Sequence, residues 1–288
     1  MKFLKKKALT TLIVISLMSM MIIYPTPIMA GQAPVNLGTT AGYAILAGTE
    51  ITNTGTTTVS GSVGGDIGIY PGSSIDGGIV LTTGVQHVND PQAITSKTDL
   101  VAAYDDAAGR TPVTIIPSEL GGQTLTPGTY ASNSGAFEIT GTLTLDAQGD
   151  PDGVFVFQMS TSLITASGSN VALLNSARFC RIFWQVGSSA TLGTNSNFVG
   201  HIFALTSITA ETGATIQGQL LARNGAVNLD SNTITNGVCN TLTPVTSTVN
   251  GGVLPVTATP WYNFLLIGFC FILIGGLIMF INKKRKAE

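Results

Sequence analysis

The side chains able to carry chemistry are few and scattered. Two histidines, His87 and His201, have no second His or Cys at metal-ligand spacing. Serines and aspartates are common, but no Gly-x-Ser-x-Gly sits on a strand-to-helix turn to raise a nucleophile. Asp146, Asp150 and Asp152 stand close together without the twelve-residue spacing of a calcium loop, and Gly149, Pro151 and Gly153 fit a plain turn. Between residues 155 and 235 the only acids are Glu211 and Asp230, and the only bases are Arg178, Arg181 and Arg223. Solenoid enzymes that cleave polysaccharides need clustered carboxylates or a base beside a groove. The sequence therefore predicts a protein that is not an enzyme and uses no cofactor or metal.

Uncharged hydroxyl and amide side chains recur instead. Ile202 to Gly218 (IFALTSITAETGATIQG) is echoed by residues 220–233, 182–197 and 155–170, and far upstream by 44–61. Each copy has two or three large apolar residues, a small polar run, and a Ser/Thr/Asn pair closed by one apolar residue. A period of about 20 residues made of short strands and Gly/Asn turns is the signature of a solenoid. Aligned at the closing residue, the copies stack Thr54/Thr57, Ser167/Asn170, Thr194/Asn197, Thr212/Thr215 and Asp230/Thr233. Stacked strands place equivalent residues ~4.8 Å apart. Threonine is stiff at its branched carbon, so its methyl and hydroxyl are placed before any ligand arrives. The column reads in two ways: as corner residues satisfying the backbone, or as a rigid, nearly uncharged array for ordered water.

The elements around these copies follow from local signals. Residues 31–88 read as short strands and turns. Asp90-Pro91 opens a helix and Gly109 closes it. Over about 90–108, Ala93, Ile94, Leu100, Val101, Tyr104, Ala107 and Ala108 recur at helical spacing. One amphipathic helix needs a large apolar surface, and the flank of the solenoid is the one available. Cys180 and Cys239 are expected to bridge one coil to the end of the solenoid, the alternative being two buried thiols.

The ends have other tasks. Residues 1–30 carry Lys2, Lys5, Lys6 and Lys7, an apolar run and Pro-Ile-Met-Ala before Gly31, the pattern of a secretory signal peptide. An uncleaved anchor is the alternative. A linker over 241–260 contains Leu254, Pro255, Val256, Thr257 and Ala258. Residues 261–288 hold Trp261 and Tyr262, an apolar run from Phe264 to Ile281, and the tail Lys283, Lys284, Arg285 and Lys286. About 20 apolar residues span a bilayer, and a basic tail stays cytoplasmic, which predicts a transmembrane helix with the 31–240 domain facing outward. The LPVTA motif, apolar span and basic tail resemble the sorting signal that sortases use to couple Gram-positive surface proteins to the cell wall, with Ala258 where Gly is usual. The expected location is extracellular, anchored to the cell wall or plasma membrane. Removing both ends leaves five basic and 14 acidic side chains, a net charge near −9, which excludes nucleic acid as a partner.

The strings VFVFQ (154–158), IFWQVGSSATLGT (182–194), ALTSIT (204–209), TGATIQGQLLARNGAV (212–227), NLDSNTIT (228–235) and NLGTTAGYAILAGTEITNTG (36–55) resemble the ice-binding-protein-like domain family of microbial antifreeze proteins. The resemblance runs from about Val35 to Cys239. It implies a mainly β fold, a discontinuous right-handed β-helix with one long α-helix along its flank. It also implies binding to an ice crystal surface through a flat face bearing Thr-(Ala/Gly)-x-(Thr/Asn). Thr54-Gly55-Thr56-Thr57, Thr209-Ala210-Glu211-Thr212 and Thr212-Gly213-Ala214-Thr215 fit that pattern. Ser167 to Asn170 and Thr194 to Asn197 half fit it, Thr233 closes the last copy, and Asp230 breaks the column with a charge. The rival from another class is a surface adhesin that binds polysaccharide or protein with the same solenoid.

Overall fold

The computed structural model describes residues 32–237 and 239. The signal-like segment 1–30, the LPVTA motif at 254–258 and the apolar run 264–281 lie outside the described residues. Among the described residues no helix is long and apolar enough to cross a membrane.

The solenoid has three faces, and every strand pair in it is parallel. The first face stacks Gln86–Val88, Asp66–Ile69, Tyr43–Ala47, the second half of Thr215–Ala222, the second half of Asn197–Ala204, Ile182–Val186, Phe155–Met159, Gly128–Ser132 and Thr114–Ile116 in that order. The second face is a separate seven-stranded sheet: Ser74–Ile75, Glu50–Thr54, Val227–Asp230, Ile208–Ala210, Ala190–Leu192, Leu163–Thr165 and Phe137–Ile139. The third runs from Ile79–Leu81 through Thr57–Ser60, Thr233–Thr235, the first parts of the two long strands, Asn170–Leu174 and Thr142–Asp146 to Thr124–Leu125.

Chain order and spatial order differ. The strand Tyr43–Ala47 pairs with the strand holding Leu220, so the chain begins beside its last coil. It then adds one further coil, crosses to the far end, and winds back coil by coil. This is the discontinuous β-helix expected from the split repeats. The crossing is made by α1, Pro91–Ala108. Its 18 residues span ~27 Å, while nine strands of the first face span ~38 Å. The segment 109–113 completes the distance.

Local chemistry fixes both ends of α1. The Asp90 carboxylate accepts from the Ala93 backbone N–H at 2.8 Å, and Pro91 occupies the first turn. At the other end the Gln158 amide donates to the carbonyls of Ala107 (2.8 Å) and Arg110 (3.0 Å). The helix buries Ala93, Ser96, Lys97, Leu100, Ala103, Tyr104 and Ala107 against outward apolar residues of the first face, including Leu46, Leu221, Phe203, Phe183 and Val156. Ile94 and Ala108 face solvent, contrary to the apolar stripe read from the sequence. Lys97 takes an inward place because its ammonium reaches the carbonyls of Ala222 (2.7 Å) and Arg223 (2.6 Å). Similarly, Gln185 donates to the Tyr104 hydroxyl at 2.7 Å.

Inside the solenoid an aromatic stack climbs through the coils. Tyr130 lies on Phe157, Phe157 on Trp184 (ring centroids 3.9 Å apart), and Trp184 against Phe198. The buried Trp184 N–H donates to the Val199 carbonyl at 3.0 Å, so its one polar atom is satisfied. The two long strands bend from third face to first at Gly200 and Gly218. A Cβ on Gly218, whose φ is +146°, would lie 1.9 Å from the Gly200 carbonyl oxygen. No side chain fits there, and the coils close only because both positions are glycine.

Candidate functional site

The second face is built from triplets with one polar residue outward between two inward ones. Val227-Asn228-Leu229, Ile208-Thr209-Ala210 and Ala190-Thr191-Leu192 have apolar residues on both sides, and Ile51-Thr52-Asn53 has the half-buried Asn53 on one. Alternation across a strand sends the middle residue to the surface. The register sets Thr52, Asn228, Thr209 and Thr191 in one row, which Ile164 and then Glu138 continue. Side chains are tied along it. The Thr52 hydroxyl donates to Asn228 Oδ1 at 2.8 Å, and Asn228 Nδ2 donates to Thr209 Oγ1 at 3.3 Å. The result is a strip of four half-buried hydroxyl or amide rungs spanning ~14 Å with no charge in it.

A second row lies along the margin, where the coils turn to the third face. It comprises Ser167, Thr194, Thr212, Asp230 and Thr54, linked by backbone bonds such as Gly168 N–H to the Thr194 carbonyl and Asn195 N–H to the Thr212 carbonyl. The turn itself repeats one conformation, with Gly168, Asn195, Gly213, Ser231 and Gly55 all at positive φ between +53° and +72°. Behind it, Ser169, Ser196, Ala214, Asn232 and Thr57 are buried. Asn232 satisfies this inner corner by donating to the carbonyls of Glu211 (2.8 Å) and Ala214 (3.3 Å).

The third face carries its own row beyond the turn: Thr142, Asn170, Asn197, Thr215, Thr233 and Thr58. The paired residues of each repeat are thus parted by a corner. Thr209, Thr212, Thr194 and Ser167 belong to the second face or its margin, whereas Asn170, Asn197, Thr215 and Thr233 belong to the third.

One residue of the set is corrected. Thr57 is fully buried, donates to Asn53 Oδ1 at 2.7 Å and accepts from the Asn232 backbone N–H at 3.0 Å. Its coil holds one more residue in the turn than its neighbours, the exposed Thr56, so Thr58 takes the rung opposite Thr233. Thr52, Asn228 and Thr191 were missed in the sequence because the repeats were aligned on their closing pairs. The apolar–Thr/Asn–apolar triplets were the signal that marks Asn228 and Thr191, while Thr52, followed by Asn53, carries only half of it.

Charge enters the site at its margin. The Thr194 hydroxyl donates to Glu211 Oε2 at 3.2 Å, and the Thr212 hydroxyl donates to Asp230 Oδ2. A shallow depression of about 250 Å³ lies between these carboxylates and the Thr209–Asn228 rungs.

The two histidines and the acidic turn lie apart from the strip. Burial against Phe183 pushes the His201 imidazole down to about 3, so it is neutral. His87 lies against Asp90, its Nδ1 2.7 Å from the carboxylate at the α1 cap. Asp150 accepts from the Asp152 backbone N–H at 2.9 Å, and Asp152 pairs with Arg181 at 2.7 Å. Among the described residues no group of three or more His, Cys, Asp or Glu gathers to hold a metal. Cys180 and Cys239 are joined by a disulfide, with Cα atoms 5.6 Å apart.

Comparison with known proteins gives a consistent answer. The family model described as "Ice-binding-like" matches residues 45–235. An ice-binding protein of Nostoc sp. is 42% identical over 203 residues, covering 69% of this chain and 73% of that protein. The crystal structure of an ice-binding protein from an Antarctic biological consortium superposes with a TM-score of 0.68 at 42% identity, covering 74% of this chain and 95% of that one. The ice-binding protein of the Antarctic ascomycete Antarctomyces psychrotrophicus gives 0.65 at 39% identity, covering 70% and 98% respectively.

Proposed function

The chain belongs to the ice-binding-like family, and we propose that it adsorbs to ice through the Thr52–Asn228–Thr209–Thr191 strip of its second face. One observation carries this reading: the strip is regular at the strand spacing and uncharged. The side chains of Thr52, Asn228 and Thr209 are held by one another before any ligand arrives. Groups already immobilised lose little entropy on joining a crystal surface. Half-buried Thr methyls between the hydroxyls add apolar area that favours leaving liquid water. The family is non-enzymatic. Polysaccharide recognition would call for exposed aromatic rings beside polar groups, and the large exposed apolar side chains of the described residues include no aromatic.

The ends of the sequence extend the reading. Residues 1–30 direct export, and Leu254 to Ala258 with the 264–281 apolar run and basic tail retain the domain at the cell surface, through a sortase and the cell wall or through the membrane itself. Ice would then be held, or its growth limited, next to the cell.

Thermal hysteresis and ice-crystal shaping by the purified protein test the proposal, with Thr209→Tyr on the second face and Thr233→Tyr on the third. The expected result is shaping by the parent and by Thr233→Tyr, and none by Thr209→Tyr, with all three melting alike. Loss in Thr233→Tyr alone would move the site to the third face. A parent that leaves ice unshaped would overturn the reading.

A further inference from the structure

We infer that Glu211 and Asp230 set the width of the ice-adsorbing surface, holding it to one row where the backbone offers two. The inference rests on the ice-binding reading above. The marginal row Ser167, Thr194, Thr212, Asp230, Thr54 runs beside the central strip along the same edge of the coils. By position it would double the strip. Its hydroxyls, however, are engaged differently. In the central row the Thr52 hydrogen goes to Asn228, but Thr209, which accepts from Asn228, keeps its own hydroxyl hydrogen and Asn228 keeps a second N–H, so this row offers water donors as well as acceptors. In the marginal row the Thr194 and Thr212 hydrogens point into the carboxylates of Glu211 and Asp230. The Ser231 hydroxyl adds a second donor to Asp230, at 3.1 Å.

Each such hydroxyl therefore meets water as an acceptor only, next to a carboxylate that is itself an acceptor only. Water over Thr194, Thr212 and Asp230 must point its hydrogens inward. Every water in an ice lattice donates two hydrogen bonds and accepts two, and a surface of acceptors alone cannot continue that pattern. The carboxylates add a desolvation cost, since an ionised group gives up its hydration shell only at large expense. Glu211 is exposed and Asp230 half-buried, so both keep liquid-like water at the margin. They also line the depression beside Thr209 and Asn228, where a crystal plane wider than one row would have to sit. The two acids are specificity-determining residues that act through Thr194 and Thr212.

The test is the pair Glu211→Gln and Asp230→Asn, singly and together. Each amide keeps an oxygen for the threonine, adds N–H donors facing water and removes the charge. We expect hysteresis of the double variant at fixed protein concentration to rise roughly two-fold or more over the parent. The set of ice planes decorated by fluorescently labelled protein should broaden, with the melting temperature unchanged. A change confined to stability would not alter which planes are decorated. An active parent with double-variant hysteresis and decoration unchanged or diminished would overturn this inference and leave the ice reading standing. Ice left unshaped by parent and variants alike would overturn both. Should the double variant not fold, the two single variants decide by the same readouts.

Discussion

Raising the pH from about 7 to about 9.5 should stabilise the fold, and Lys97 is the residue responsible. Burial on the inner side of α1, with the Arg223 charge nearby, pulls its ammonium from an ordinary 10.5 down to about 7. Between those values the unfolded chain carries a proton that the folded chain has largely given up, so stability rises with pH across the window and levels off below it. At 1.36 kcal/mol for each unit, the full difference is on the order of 5 kcal/mol, of which ~3 kcal/mol falls between pH 7 and 9.5. The carbonyls of Ala222 and Arg223 accept from the ammonium and work in the opposite sense, which makes ~3 kcal/mol a ceiling. Urea unfolding at several pH values, parent beside Lys97→Met, isolates this group because all other titrations are shared. The parent should gain on the variant by a fraction of that ceiling as pH rises. A parent–variant difference constant to within ~0.5 kcal/mol across the window would refute the reasoning.

Two further perturbations probe how the coils are closed. Gly218→Ala sets a Cβ 1.9 Å from the Gly200 oxygen at φ +146°, and should cost about 3 kcal/mol or more, lowering the melting temperature by roughly 6–12 °C in a domain of this size. Gly168→Ala, at φ +67° with open space around it, should cost only about 1 kcal/mol; equal shifts for the two would show that backbone contact does not fix the corner. Cys180→Ser opens a covalent loop whose ends are 59 residues apart and should cost about 4 kcal/mol in chemical denaturation, whereas a loss below ~1 kcal/mol would mean that residual structure already restrains the unfolded chain.

The architecture was legible because it is written in repetition and punctuation. The split copies announced that the solenoid is interrupted, and Asp90, Pro91 and Gly109 bounded the interruption as one helix. The face that α1 buries was harder to read. Ile94 looks inward by type but faces solvent, while Lys97 and Ser96 look outward by type and are buried. Their polar ends find backbone or side-chain partners that only the folded coils supply. The hydroxyl rows were half legible. Pairs three residues apart line up between copies, as Asn197, Thr215 and Thr233 do. No sequence spacing reveals that a residue at positive φ turns the chain between the members of each pair. Nor does it reveal that Thr56 is an added residue that sends Thr57 inward. The central strip was obscured for a plainer reason: one Thr between two apolar residues describes any half-buried strand.

The disulfide described above has a mechanical consequence. Cys180 precedes the strand Ile182–Val186, and Cys239 follows the last coil. Thr191, Thr209 and Asn228, three of the four rungs in the central strip, all fall within the covalent ring that the bond closes. Tension arriving along the chain from beyond Cys239 passes through the sulfur atoms to Cys180 and enters the fold ahead of these coils. Without the bridge, the same pull would fall first on Thr233–Thr235, a three-residue strand that could be peeled away rung by rung. With it, load bypasses the segment that carries most of the strip, and those rungs keep their register while the chain is under strain.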